Sequence, residues 1–240
     1  MRRGAARAGL EAPLRAMWEH FNPAVRRDRI DNEHIRLLLS FALREDANCI
    51  DIGAHSGVIL REMLRVAPRG HHIAYEPLPQ LASQLTAEFP SVEVRNAAVS
   101  NENGEATFFQ MVGAEMQSAL KLRTGTAAEA SRTFTVRVDK LDDALPADYV
   151  PALIKIDVEG AERQVLEGAM ETLRRHAPIV AFEHGPGAER EYDTSPGQVY
   201  DLLVEGAGMR IFDIDGAGPY SRTQFVEIFP EPIWNFVAHR

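Results

Sequence analysis

Two short stretches hold most of the side chains able to do chemistry. The first is Asp51-Ile52-Gly53-Ala54-His55-Ser56-Gly57. Cys49-Ile50-Asp51-Ile52 is a short apolar run closed by Gly53, the pattern of a buried strand turning into a helix. Gly53 lets the backbone bend tightly and approach a ligand without a Cβ in the way, and Gly57 permits close entry into the helix. The spacing is not G-x-G-x-x-G, the arrangement that brings a pyrophosphate onto a helix N-terminus, because His55 follows Ala54. Asp51 suits a cationic amino-acid ligand better than an anionic pyrophosphate. A sulfonium nucleoside has no phosphate and needs only an acid and a looser glycine turn, here Asp51 through Gly57 with Ala54 and His55 in the bend. Glu76 stands 25 residues after Asp51 (76 − 51) and ends the run Ile73-Ala74-Tyr75. At that place an acidic side chain accepts hydrogen bonds from both ribose hydroxyls. Asn96 and Ala97 fall where an adenine edge would lie. The plainer alternative is a strand–turn–helix with a structural aspartate and a solvated strand-end glutamate.

The second stretch runs from Leu153 to Glu162, Leu-Ile-Lys-Ile-Asp-Val-Glu-Gly-Ala-Glu. Lys155 lies inside an otherwise apolar strand. An unpaired buried ammonium is costly, so Lys155 requires an acidic partner or a route to the sheet edge. Period-two alternation puts Lys155 and Asp157 on one face. Asp157 then sits at the C-terminal end of its strand, where ligands bind in open α/β sheets. That makes Asp157 a candidate to orient or deprotonate an acceptor, with Lys155 and Glu159 positioning groups. A purely structural ion pair between Lys155 and a carboxylate is the alternative. His184, in Phe182-Glu183-His184-Gly185, follows the next strand and is the second candidate for proton removal, with an incidental loop histidine as the alternative. Asp157, Glu159 and Glu183 have the oxygen ligands for Mg²⁺, but no metal is assigned, and no histidine group has zinc-ligand spacing. No G-x-S-x-G elbow or P-loop is present.

The elements that must position these residues alternate. After a basic N-terminal arm over residues 1–30, Asp31 is placed to cap a helix carrying Ile35, Leu38, Leu39 and Ala42. The Asp51 strand leads into a helix with Ile59, Leu60, Met63 and Leu64 on its inner face, ended by Pro68 and Gly70. Ile73–Tyr75 is a strand, Leu81, Leu85 and Phe89 mark a helix, and Val92 and Val94 mark a strand. Asn103-Gly104 signals a turn between Ala97-Ala98-Val99 and Thr107-Phe108-Phe109. Residues 113–132 lack a clear period and are a candidate cover for the acceptor. Phe134, Val136 and Val138 alternate as a strand. The Lys155 strand is followed by a helix with Val165, Leu166, Ala169 and Leu173, then by the strand Ile179–Phe182. Ser195-Pro196 starts a helix. Met209–Phe212 and Trp234–Val237 are expected to close the sheet as an antiparallel pair. Strands alternating with helices predict an α/β fold with a mainly parallel, doubly wound sheet, here in one domain over residues 31–240.

The 240 residues are 45% hydrophobic, enough for one sizeable core, and the net charge of −9 argues against a nucleic-acid-binding surface. Cys49 is the one cysteine, so no intrachain disulfide forms. No signal-peptide apolar region follows the early arginines and no stretch is apolar enough to span a membrane, so a cytoplasmic protein is expected.

The Asp51–Gly57 turn, Leu141-Asp142-Asp143, and the run from Ile154 to Glu162 with Val165-Leu166 and Gly168 together resemble the FkbM-type methyltransferases. The resemblance extends from about Glu33 to Val237, and the run Lys-Ile-Asp-Val-Glu-Gly-Ala-Glu is its specific part. It implies a Rossmann-like class I methyltransferase fold, S-adenosylmethionine as methyl donor, and O-methylation of a natural product or glycan. Asp51, Gly53 and Glu76 match that class's cofactor positions, while His55 replaces an asparagine often seen in the turn. A small molecule or sugar is the expected partner, with neither nucleic acid nor membrane, and a homodimer is left open. The rival readings are a nicotinamide-dependent oxidoreductase, weakened by the absent glycine pattern; an RNA methyltransferase, weakened by the acidic charge; and a non-catalytic binding scaffold.

Overall fold

Short runs of β-branched and apolar residues bounded by glycine and proline become strands, and the 3.6-residue stripes between them become helices that cover the sheet. The computed structural model describes residues 23–111, 131–187 and 192–240. In order these form α1 (Pro23–Ala42), β1 (Asn48–Ile52), α2 (Val58–Val66), β2 (Ile73–Tyr75), α3 (Pro79–Glu88), β3 (Glu93–Arg95), β4 (Ala97–Ser100) and β5 (Gly104–Met111). Then follow β6 (Ser131–Lys140), α4 (Leu141–Ala144), β7 (Pro151–Ile156), α5 (Glu162–Gly168), α6 (Met170–His176), β8 (Ile179–Glu183) and α7 (Pro196–Tyr200). A π-helical turn over Asp201–Gly206, β9 (Arg210–Asp213), α8 (Arg222–Ile228) and β10 (Asn235–His239) complete the order.

Seven strands form one sheet in the order β3-β2-β1-β7-β8-β10-β9. β1, β2, β3, β7 and β8 are parallel to their neighbours in that set, and β10 runs antiparallel to both β8 and β9. The expected doubly wound sheet with an antiparallel closing pair is therefore present. Alternation sorts the central strands between two cores. Ile50, Ile52, Ile154, Ile156, Val180 and Phe182 face α5, α6 and α8, while Cys49 and Leu153 face α1 and α2. The polar members of the second face, Asp51 and Lys155, are paired directly across β1 and β7.

Three local expectations need correction. The first helix starts at Pro23, and Asp31 lies within it instead of capping it. Asp31 continues the buried stripe of Ile35 and Leu39 and is 2% exposed. Its carboxylate is held by Arg27 at 2.5 Å and by the Asn235 amide at 2.8 Å. A charged residue satisfied by distant partners interrupts the apolar period without interrupting the helix. Next, the turn at Asn103-Gly104 forms, but its flanking strands are not neighbours: β6 lies between them, parallel to β4 and antiparallel to β5, in a separate three-stranded sheet. Finally, the helix after β7 is two helices, divided at Ala169. A Cβ on Gly168 would stand 2.0 Å from the Ser100 carbonyl oxygen, so this end of α5 abuts β4. The candidate cover at 113–132 falls, apart from Ser131 and Arg132, outside the described residues, as do residues 1–22 of the expected arm.

Candidate active site

The turn after β1 is shaped by backbone that favours glycine. Gly53, His55 and Gly57 have φ of 78°, 46° and 73°. The need for glycine at position 53 comes from inside the protein: a Cβ there would stand 1.9 Å from the Asp157 carbonyl oxygen. Close approach between β1 and the end of β7, rather than approach of a ligand, excludes a side chain at Gly53. At Gly57 a Cβ would press on Phe89 and Leu85. The Gly53 and Ala54 N–H groups donate to the Tyr75 carbonyl at 3.0 and 3.1 Å. Glu76, 4% exposed, completes the tie. Its Oε2 accepts from the His55 N–H at 2.8 Å and its Oε1 from the Leu78 N–H at 2.9 Å. Burial raises the Glu76 pKa, and the two backbone donors oppose that rise. Asn96 donates from Nδ2 to the Glu76 and Pro77 carbonyls, so the ends of β2 and β3 move as one. Ala97 and Ala54 are buried in apolar clusters; Asn96 is exposed.

Beside this turn lies a charged row on the face covered by α1. Lys155 Nζ is 3.1 Å from Asp157 Oδ2 and 3.4 Å from Asp51 Oδ1, and it donates to the Gly53 carbonyl at 2.9 Å. Burial works against its ammonium, but Asp157 first and Asp51 second outweigh it and hold the lysine pKa above its ordinary value. Asp51 is 1% exposed, and burial pushes its carboxyl up while Lys155 pulls it down. The counter-ion of Asp51 is thus inside the chain. The Asp157 side chain, 37% exposed, is the member of the row open to solvent. Glu159 and Gly160 form the next bend with positive φ, and Glu162 Oε1 accepts the Gly160 N–H at 2.9 Å.

One strand further, alternation separates two consecutive residues. Val180 and Phe182 point into the core shared with Phe236, so Glu183 falls on the face of Lys155 and Asp157. His184 turns the other way, 1% exposed, with its ring 4.9 Å from that of Phe229 and 6.2 Å from that of Phe225. Its Nδ1 lies 3.3 Å from Glu162 Oε2. The ring, expected to be a candidate for proton removal, is thus enclosed by Phe225, Phe229 and Glu162. Glu183 lies on the open face beside Asp157. Register had the information: Lys155 pairs with Ala181, and the alternation of Val180 and Phe182 assigns residue 183 to the same face. Choice by residue type favoured the histidine one position away. Glu183, Lys155, Asp157 and Asn235, with Ile35 and Ile214, line a cavity of about 10 Å³. Among the described residues no group of three or more potential ligands forms a metal site.

The family described as Methyltransferase FkbM domain matches residues 51–211. Among curated proteins, the 2-O-methyltransferase NoeI of Sinorhizobium fredii (strain NBRC 101917 / NGR234) is 24% identical over 183 residues, covering 70% of this chain and 75% of NoeI. Among solved structures, Methyltransferase FkbM from Methylobacillus flagellatus KT superposes with a TM-score of 0.51 at 14% identity. The match covers 82% of this chain and 44% of that one, so this chain spans less than half the length of that protein. At this identity the likeness is one of fold.

Proposed function

This chain belongs to the FkbM methyltransferase family, and on that premise we propose that it transfers the methyl group of S-adenosylmethionine to a hydroxyl oxygen of a small molecule or sugar. The observation that carries the reading is the charge of the sheet edge. Asp51, Glu76, Asp157 and Glu183 stand around one lysine. Asp51, Glu76 and Asp157 against one ammonium, with Glu183 adding a charge only as it ionises, suit a ligand bearing a sulfonium and an amino group, and oppose a dinucleotide pyrophosphate. Asp51 is stabilised in its buried place by Lys155 and the Leu60 backbone, so it contributes to the site through its charge beside the turn.

In this reading the Asp51–Gly57 turn holds the amino-acid end of the donor. A carboxylate has about four acceptor positions, and Glu76 spends two on His55 and Leu78, leaving the others for ribose hydroxyls. Asn96, exposed at the end of β3, borders the base. The bound donor supplies an electrophilic methyl carbon on a positively charged sulfur. Lys155 fixes Asp157 at the end of β7, and Asp157 presents its open oxygen to the acceptor side. Ile35 of α1 and Ile214 wall the Lys155 end of the row, and the burial of Asp51 and Lys155 strengthens the interaction between them. The name of the relative NoeI supports oxygen as the acceptor atom. The net charge of −9 supports a small acceptor over a nucleic acid.

Calorimetry with S-adenosylmethionine, S-adenosylhomocysteine and NAD, followed by transfer of a labelled methyl group to a panel of sugars and hydroxylated small molecules, tests this. Binding of the first two and labelling of a hydroxyl are expected. Tight NAD binding without either adenosyl ligand ends the methyltransferase assignment.

A further inference from the structure

We propose that Glu183 is the base that takes the proton from the acceptor hydroxyl, seated in the small cavity at the ends of β7, β8 and β10. The inference rests on the O-methylation proposed above. Three observations carry it. The first is register: Glu183 ends β8, pairs directly with Asn235 of β10, and follows the Ile156–Phe182 pair, which sets it beside Asp157. The second is the cavity. Its volume of about 10 Å³ is close to that of one water-sized group. A hydroxyl fills such a space, and the body of the acceptor lies outside its rim. The third is composition. Polar side chains from three adjacent strands, Lys155, Glu183 and Asn235, meet there opposite the apolar wall of Ile35 and Ile214. β1, with the donor turn at its end, is two strands from β8, roughly 10 Å at the usual strand spacing. Donor and proton acceptor therefore stand on opposite sides of the β7 end.

The surroundings match the task. Burial, with Asp157, Glu159 and Glu162, pushes the Glu183 carboxyl up to about 8 against the pull of Lys155. From the covering helix, Asp28 adds a further carboxylate coupled to Asp157. A base poised near neutral pH is the efficient one for this transfer. In the step, the acceptor oxygen forms its bond to the methyl carbon. The carbon–sulfur bond breaks with its electron pair going to sulfur, and the hydroxyl proton passes to a Glu183 oxygen. The sulfonium charge disappears and the carboxylate becomes neutral, so charge balances.

Two measurements test the assignment. Infrared titration of the free protein is expected to show a protonated carboxyl at neutral pH that ionises near 8 and is missing from Glu183→Gln. Steady-state rates with an acceptor found in the hydroxyl panel are expected to give kcat/KM rising to a plateau with the same ionisation. Glu183→Gln is expected to lose about 10²–10⁴ in kcat and to lose that limb, with S-adenosylmethionine affinity within a few-fold of the parent. A variant that turns over at the parental rate, or a Glu183 that titrates with ordinary carboxylates, overturns the base role while methyl transfer stands. A parent protein that binds S-adenosylmethionine and labels no hydroxyl overturns both the base role and O-methylation.

Discussion

Lys155 is shared by two carboxylates of unequal exposure, and that inequality divides their work. Asp51 is sealed and Asp157 is open. Removing the lysine strands a buried carboxylate, so Lys155→Met is expected to lose about 3–5 kcal/mol in urea unfolding. Asp51→Asn in the same chain is expected to return part of that loss, with a coupling of about 0.5–3 kcal/mol. Strictly additive single losses would show that the two groups do not sense one another. Glu76 carries a separate expectation. Glu76→Ala leaves the His55 and Leu78 N–H groups without their acceptor and removes the proposed ribose contact. S-adenosylmethionine affinity is expected to fall roughly tenfold to hundredfold, from about 1.5–3 kcal/mol of lost charged hydrogen bonding. Unchanged affinity in a folded variant takes Glu76 out of the site. His184 is expected to serve stability. His184→Phe keeps the aromatic packing but deprives Glu162 of a partner, so the melting temperature is expected to drop while the pH limb of the reaction stays. A lost limb would return His184 to the chemistry.

At the scale of elements, the close approach of the β1 turn to the end of β7 joins the proposed donor half of the site to the proposed acceptor half. Gly53→Ala forces either strand end aside, and with φ at 78° it is strained even after relaxation. The expected result is a melting temperature lowered by many degrees together with lost donor binding; a stable variant with parental affinity would show the junction to be pliant. The elements that positioned this junction were legible in the sequence because their own residues encode them. Ile50 and Ile52, Ile154 and Ile156, and Val180 and Phe182 alternate or cluster as buried strands must. What could not be read there depends on distant partners. Asp31 extends the buried stripe of α1 as a charged residue because Arg27, itself tied to Asp215, and Asn235 meet it. The insertion of β6 between β4 and β5 is a non-local pairing that no turn signal reports. In the candidate site, alternation alone places Lys155 and Asp157 on one face, and the structure pairs them at 3.1 Å. The same rule carried one strand further puts Glu183 on that face through the Lys155–Ala181 pair.

For the whole molecule, an ionisable group favoured in its neutral form sets a direction for stability against pH. The Glu183 pKa rises from 4.5 unfolded to about 8 folded. Its contribution to stability is therefore complete below about 4.5 and lost as pH climbs through 8. Relative to Glu183→Gln, the parent protein is expected to lose stability across that window, on the order of 5 kcal/mol, and to change no further above it. Thermal melts of both proteins between pH 4 and pH 9 check this, and a difference that is flat with pH refutes it. The strand order carries a consequence of another kind. β9 reaches the sheet only through β10, and β10 alone covers the outer edge of β8. A ribosome makes Glu183 52 residues before Asn235 (235 − 183). At about 5–20 residues per second, the edge of β8 waits roughly 3–10 s for its neighbour. Until then the nascent protein offers a row of unpaired backbone groups to any strand nearby. The hazard in making this protein is thus concentrated in time, between the synthesis of its proposed base and the arrival of the strand that shields it.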